Sequence, residues 1–242
     1  MNVLLGTFSF LLTFSLMTFV ERFFKKEGLY VWICVATVAS NVLVLKSVDL
    51  FGLTTNLGNI MFISVFSASD IMNEKYGSGH SKKAAVLGVV SQIVFSLACF
   101  FSLLYAPSSV DLNHVSMKNL FSMNLRVSFS SVAMYIAGSF LDIYLFCRIK
   151  QKYPNFLWLR NNISTIISSC LQNYIFAFLA FFGTYDLVTL LSIASVACVL
   201  EAIISLAATP FVYLAKNSPQ KLIKNPRKLI KNPRKLPASG DC

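Results

Sequence analysis

Four acidic side chains lie within or at the ends of long apolar segments of this sequence, and they are its first candidates for chemistry. They are Asp70, Glu74, Asp142 and Glu201. An ionisable group in such a segment is costly to bury, so it usually faces a partner or a polar cavity and marks a functional site. Carboxylates there can accept hydrogen bonds from a polar ligand or carry a proton.

Each acid belongs to a stripe of polar or small residues spaced by three and four positions, which places the stripe on one face of a helix. The stripes are Asn56, Asn59, Ser67, Asp70 and Glu74; Ser128, Ser131, Tyr135, Ser139 and Asp142; Asn161, Thr165, Ser168 and Gln172, with Asn173 beside them; and Cys198, Glu201, Ser205 and Thr209. Four stripes on four segments predict a shared polar cavity. Two alternatives stay open: helix packing by small and hydroxyl residues, and pairing of Asp70 and Glu74 with Lys75 or the bases near residue 160.

Signals for enzymatic or metal chemistry are poor. The two histidines, His80 and His114, lie in predicted loops without metal-ligand spacing. The chain has no P-loop, no nucleophile-elbow motif and no zinc-protease motif. The sequence therefore predicts a protein that is not an enzyme and uses no metal or cofactor. Nucleic acid is not expected as a partner either, because the basic residues lie at helix ends and in the C-terminal tail.

Composition identifies the elements that must position the acids. Of the 242 residues, 56% are hydrophobic and only 13% are charged, and the mean hydropathy is +0.66, whereas soluble domains carry about 25% charged residues. Several apolar runs reach the 18 or more residues needed to cross a bilayer. We predict an all-α integral membrane protein, a compact bundle of about seven transmembrane helices, with six as the alternative. The predicted spans are 3–20, 29–48, 52–72, 83–106, 126–148, 160–183 and 187–214, in one domain over residues 1–215.

Charge asymmetry predicts the orientation. With the N-terminus outside, only Lys46, Lys118 and Arg126 of the 21 basic residues fall on the outer side, as the positive-inside rule requires. The C-terminus is then inside. Residues 216–242 contain the repeat KLIKNPR at 221–227 and 228–234, and its prolines oppose a helix. We predict a disordered polybasic cytoplasmic tail that can lie on anionic membrane lipid.

Four strings, in this order, resemble the queuosine precursor transporter family of the YhhQ type, within the vitamin uptake transporters. They are DIMNEKYG at 70–77, AMYIAGSFLDIYLFCRIKQ at 133–151, WLRNNISTIISSCLQNYIFAFLAFFG at 158–183 and TPFVY at 209–213. The similarity covers roughly residues 30 to 215. The resemblance implies uptake of a 7-deazaguanine base, either queuine or a precursor with a cyano or aminomethyl substituent. It also implies a multi-pass protein of a bacterial inner membrane.

The residue chemistry suits such a cargo. One carboxylate, Asp142 or Glu201, can accept the ring N–H and the exocyclic amine together, and Asp70 and Glu74 are further candidates. Amides for the carbonyl edge and aromatic rings for stacking are offered by Gln172, Asn173, Asn59, Tyr135, Tyr174 and Phe176. A proton is a candidate coupling ion, passive transport is the alternative, and no obligate protein partner is predicted. Two other functions stay open: a substrate-binding subunit of an energy-coupling-factor importer, and a membrane scaffold without transport.

Overall fold

The computed structural model describes residues 2–50, 53–121, 125–183 and 186–217. This part of the chain forms seven α-helices and one short antiparallel β-hairpin. The elements are α1 (Asn2–Leu43), β1 (Ser47–Leu50), β2 (Leu53–Asn56), α2 (Gly58–Tyr76), α3 (Ser78–Leu104), α4 (His114–Phe121), α5 (Leu125–Lys152), α6 (Leu157–Phe181) and α7 (Leu187–Lys216).

Helix α1 is bent back on itself at Lys25, which has φ 57° and ψ −136°. Thr13 contacts Met61 and Trp32 contacts Ser64, and these two α2 residues are one helical turn apart. In a straight helix, Thr13 and Trp32 would lie about 28 Å from each other. A Cβ atom on Gly28 would lie 2.6 Å from the carbonyl oxygen of Val20, so glycine permits this close approach. The arms 2–24 and 26–43 therefore run in opposite directions along α2.

Helix α2 occupies the centre of the bundle and contacts α1, α3, α5, α6 and α7. Ile63, Ala68, Ile71 and Met72 are completely buried, and so are polar residues of the same helix, including Asp70. Because protein surrounds α2 on all sides, its side chains do not have to be soluble in lipid. This position allows the helix to carry polar groups that a lipid-facing helix would expose to hydrocarbon.

The outer helices present apolar faces to their surroundings. Within the described residues, five helices are long and apolar enough to cross a membrane: α1, α3, α5, α6 and α7. Large apolar side chains lie exposed along them, such as Phe8 on α1, Phe101 on α3 and Ile203 on α7. Contiguous exposed apolar surface of this kind fits a lipid environment. The chain is thus a helical membrane protein.

The connection between the second and third predicted spans differs from the sequence-based expectation. The sequence predicts spans 29–48 and 52–72 joined by a short turn, whereas α1 ends at Leu43 and α2 begins at Gly58. The hairpin β1–β2 fills the interval, pairing Ser47 with Asn56. The β-branched residues Val48, Thr54 and Thr55 favour strands at this point, and apolar content alone does not separate such strands from a helix. The predicted tail from residue 218 onward lies outside the described residues.

Helices α1 and α2 approach each other closely at Gly58. A Cβ atom on Gly58 would lie 2.7 Å from the carbonyl oxygen of Ser40 and 3.0 Å from the backbone nitrogen of Val44. Because backbone atoms cannot swing aside, we expect Gly58→Ala to lower the free energy of unfolding by about 1–3 kcal/mol. Unfolding in a mixed detergent titration measures this. Gly79→Ala is the control, since a Cβ atom there would meet no described residue beyond its own helix turn within 4 Å; equal effects would contradict the expectation.

Asp186 caps the N-terminus of α7 outside the membrane, and its contribution to the stability of the fold depends on pH. Its side chain accepts hydrogen bonds from the backbone N–H groups of Val188 and Thr189, at 3.1 and 3.2 Å. Hydrogen bonds hold the pKa of this carboxyl below its ordinary value, and the largest effect comes from the side chain of Thr189. A depressed pKa in the folded state stabilises the fold above the unfolded pKa of about 3.9, and this stability is lost as pH falls.

We therefore expect Asp186→Ala to lower the midpoint of thermal unfolding slightly at pH 7. The difference from the unaltered chain should shrink as pH falls through 4, because the carboxyl then becomes protonated in both states. Thermal unfolding of the detergent-solubilised chain at several pH values checks this. A difference that stays constant with pH would show that the carboxylate charge has no part in the cap.

Candidate functional site

Two of the predicted acids meet inside the bundle. Asp70 on α2 and Asp142 on α5 are completely buried, and their carboxyl groups lie within hydrogen-bonding reach of each other. The hydroxyl groups of Thr165 and Ser168 on α6 each donate to Asp142 Oδ1 over 3.4 Å. Both Asp70 oxygens and Asp142 Oδ2 accept no other hydrogen bond within the described part of the chain. Three helices thus enclose a pair of carboxyl groups with acceptor capacity to spare.

Two buried amides lie beside this acid pair. Asn73 follows Asp70 by three residues on α2, and Asn161 precedes Thr165 by four residues on α6, so each shares a helix face with the pair. Asn73 is fully buried and Asn161 is 1% exposed. Neither side-chain amide makes a hydrogen bond to any described residue. Buried polar groups are nearly always hydrogen-bonded in native proteins, so these two amides mark a place for an additional polar partner.

Glu201, which the sequence offered beside Asp142 as the carboxylate for the base, lies against a different face of α6. Asn173 donates from Nδ2 to Glu201 Oε2 over 2.7 Å, and Ser169 lies near the same carboxyl group. Ser168 faces Asp142, whereas the next residue, Ser169, faces Glu201. The structure therefore separates the two predicted carboxylates and joins Glu201 to Asn173, a partner from within the protein.

The remaining predicted binding residues do not gather around the acid pair. Gln172 lies against Gly138 and donates to the carbonyl oxygen of Met134 over 2.5 Å, and Tyr174 hydrogen-bonds Ser195 over 2.9 Å. The other three are Asn59, buried at the start of α2 and about 16 Å along the helix from Asp70, Phe176, half-buried on α6, and Tyr135, buried on α5.

Tyr135 lines a small cavity near the acid pair. The cavity lies between the second arm of α1, α2, α3 and α5, and Ser69 and Ser139 also face it. Its volume is about 10 Å³, enough for roughly one water molecule. A bicyclic base does not fit in a space of that size, so a ligand can enter only if these helices separate.

Glu74 belongs to an ionic cluster at one end of the bundle. Its carboxylate lies 2.6 Å from Arg160 Nη2, 2.9 Å from Lys216 Nζ and 3.5 Å from Lys150 Nζ. These bases come from α6, α7 and α5 respectively. Arg160 is 1% exposed and also donates to the carbonyl oxygen of Pro154 over 2.6 Å. Glu74 thus pairs with a base near residue 160, as one of the sequence-based alternatives predicted. We call Glu74, Lys150, Arg160 and Lys216 the Glu74 cluster.

Lys75 has a different partner from the one the sequence suggested. It pairs with Glu21 on the first arm of α1 and donates to the carbonyl oxygen of Ala215 over 2.9 Å. Both side chains are almost completely buried, and Tyr76 also donates to Glu21, over 3.3 Å. Glu21 carries no signal in the sequence, because the residue lies at the end of an apolar run and its partner follows 54 positions later. This pair joins α1, α2 and α7 at the same end as the Glu74 cluster.

Metal ligation has little support in this arrangement. Among the described residues, no three His, Cys, Asp or Glu side chains come close enough together to hold a metal ion. What the acid pair and its two neighbouring amides offer is hydrogen bonding to an organic ligand. Carboxylates accept from N–H groups, and carboxamides both donate and accept.

Comparison with known proteins assigns the chain to a family. Residues 56–215 match the model of the family described as "Putative vitamin uptake transporter". The chain is 37% identical over 204 residues to the "Probable queuosine precursor transporter" of Bacillus subtilis (strain 168), which covers 84% of this chain and 87% of that protein. It is 26% identical over 148 residues to the "Queuosine precursor transporter" of Escherichia coli (strain K12), covering 61% and 65%. No solved structure matches the chain. The chain belongs to the vitamin uptake transporter family.

Proposed function

We propose that this chain imports 7-deazaguanine bases, queuine or other queuosine precursors, across a bacterial inner membrane for tRNA modification. The family match and two relatives named for queuosine precursor transport support this cargo. The observation that carries the proposal is the buried acid pair, Asp70 and Asp142, with acceptor oxygens unused by the described residues. A deazaguanine presents a ring N–H beside an exocyclic amine, and one carboxylate accepts both.

The chain crosses the membrane seven times in this proposal. The two arms of α1 run in opposite directions, and α2, α3, α5, α6 and α7 supply five further crossings. The turn at Lys25, the Glu74 cluster and the C-terminal end of α7 lie at one end of the bundle, which is rich in bases. The positive-inside rule places this end in the cytoplasm, so the N-terminus lies outside.

Transport then requires the acid pair to become accessible from each side in turn. The Glu74 cluster and the Glu21–Lys75 pair join α1, α2, α5, α6 and α7 at the cytoplasmic end. About 15 Å of helix separates Asp142 from the end of α5 at Lys152. Release of a base into the cytoplasm must therefore break these ion pairs, and they act as the inner barrier.

Uptake in bacteria that neither make nor import queuosine precursors tests the proposal. Cells expressing the chain are supplied with queuine, the aminomethyl precursor or the cyano precursor, and queuosine or its precursor is then measured in tRNA. We expect a signal only with the chain present. Verified membrane insertion without a signal from any of the three compounds would contradict transport of this cargo.

Two alternative functions make different predictions in the same cells. A substrate-binding subunit of an energy-coupling-factor importer would give a signal only when its transmembrane and ATPase partners are co-expressed. A membrane scaffold would give no signal under either condition. The proposed function involves no enzymatic step and no cofactor, and a proton is the candidate coupling ion.

A further inference from the structure

One carboxylate is enough to accept the ring N–H and the exocyclic amine of a deazaguanine, but the acid pair contains two carboxyl groups. Two carboxyl groups face each other inside the bundle, and no salt bridge joins either of them to a base in the described part of the chain. Arg160 is near enough to act on Asp70 electrostatically, but its guanidinium is engaged with Glu74 at 2.6 Å. Lys150 and Lys216 lie at the more exposed rim of the same cluster.

Such a pair is suited to one cationic group. Like charges repel strongly when they are buried next to each other, and a positive charge placed between them replaces that repulsion with two attractions. A protonated amine carries three N–H donors, and the pair has three acceptor oxygens that receive no other hydrogen bond from described residues. Hydrogen bonds between an ammonium group and a carboxylate are also roughly twice as strong as neutral ones.

The two unpartnered amides supply the other half of a site. Asn73 and Asn161 lie one helical turn from Asp70 and Thr165, toward the Glu74 cluster, and are buried without a hydrogen-bond partner among the described residues. A carboxamide donates to a ring carbonyl and accepts from a ring N–H, so the pair matches the lactam edge of a guanine-like ring. The two acids can therefore bind a cationic group, and the two amides can bind the neutral polar edge of the same ligand.

We propose that this cluster, Asp70, Asn73, Asp142 and Asn161, is the substrate site and that it selects bases bearing a protonated amine. The ammonium group lies between the two carboxylates, and the lactam edge contacts the two amides. This inference takes the deazaguanine ring of the cargo from the proposed function. It adds the residues that bind the ring and the preference for a positively charged substituent. An aminomethyl-substituted deazaguanine is then favoured over the cyano-substituted one, which has nearly the same size but no cation.

Direct binding to the purified chain in lipid nanodiscs tests the charge preference separately from transport. The probes are the aminomethyl and cyano bases, measured by equilibrium dialysis. We expect the aminomethyl base to bind at least about tenfold more tightly. Asp70→Asn should reduce this ratio toward one. Equal binding of the two bases, or tighter binding of the cyano base, would overturn the proposed selectivity even if uptake of both occurs.

Replacement of the amides tests the other end of the site, with a neighbouring asparagine as the matched control. We expect Asn161→Ala to weaken binding of both bases about equally and to leave thermal stability unchanged, because Asn161 loses no partner in the described protein. Asn162 hydrogen-bonds Trp158, Thr209 and Ser205, so Asn162→Ala should lower stability instead. An Asn161→Ala chain that is destabilised but binds both bases normally would assign Asn161 a structural role and overturn this part.

Binding and uptake can fail separately in these experiments. Selective binding of the aminomethyl base without any uptake would support the proposed site and contradict the import function. A chain that imports both bases without preference retains the function and loses the selectivity. A chain that binds neither base contradicts the inference, and it also contradicts the proposed function if the chain does not import queuine.

Discussion

Asp142→Asn is expected to reduce uptake of a 7-deazaguanine base by roughly 10- to 150-fold, the equivalent of about 1.5–3 kcal/mol for a hydrogen bond to a charged group. Asparagine keeps the size of the side chain but replaces one carboxylate oxygen with an N–H donor, which opposes the N–H groups of the base. The protein should still fold, because the two hydroxyl contacts to Asp142 are long, at 3.4 Å. Initial uptake rates, normalised to the amount of chain in the membrane, measure the effect.

Glu201→Gln is the matched comparison for Asp142→Asn. Both acids are buried on helices next to α6, but Glu201 already accepts a 2.7 Å hydrogen bond from Asn173. We therefore expect Glu201→Gln to lower stability in detergent while uptake per folded molecule stays within about threefold. Loss of uptake with Glu201→Gln and normal uptake with Asp142→Asn would place the substrate on the other side of α6, between α6 and α7.

Among the substitutions considered, Glu74→Gln is expected to lower the free energy of unfolding the most. The substitution removes the anion that faces three bases on α5, α6 and α7, and it leaves the buried Arg160 guanidinium without its ion-pair partner. Breaking a buried pair by removing one partner costs about 3–5 kcal/mol. A denaturant titration of the detergent-solubilised chain, followed by tryptophan fluorescence, should show a correspondingly lower free energy of unfolding.

An exposed ion pair provides the control for Glu74→Gln. Lys26 and Glu27 lie 3.9 Å apart with 42% and 68% of their side chains exposed, and exposed pairs contribute about 0–1 kcal/mol. Glu27→Gln should therefore leave the titration almost unchanged. The double change of Glu74 and Arg160 to methionine should recover much of the lost stability, because apolar replacements remove both buried charges together. A double variant as unstable as Glu74→Gln would show that the cost arises elsewhere.

Much of the membrane architecture was predictable because the bilayer imposes a simple length and polarity requirement. Apolar runs located the helices α3, α5, α6 and α7, and periodicity placed Asp142 on one face with Ser139. The strands after α1 were missed, since short apolar segments suit either a strand or the end of a helix. The spans predicted at 3–20 and 29–48 form the two arms of α1, and the chain reverses between them at Lys25. That these arms join in one bent helix is a feature of the backbone that composition does not encode.

Which stripes meet was decided only by the tertiary structure. Helical periodicity assigns a residue to a face of its own helix, but it contains no information about the neighbouring helix. Asp70 therefore faces Asp142 rather than Lys75, and Glu201 faces Asn173 rather than a shared cavity with Asp142. The sequence by itself determined a membrane bundle with costly buried acids. Packing around the central helix α2 decided which acids are paired within the protein and which have oxygens left for a ligand, because partners distant in sequence become neighbours only when the helices assemble.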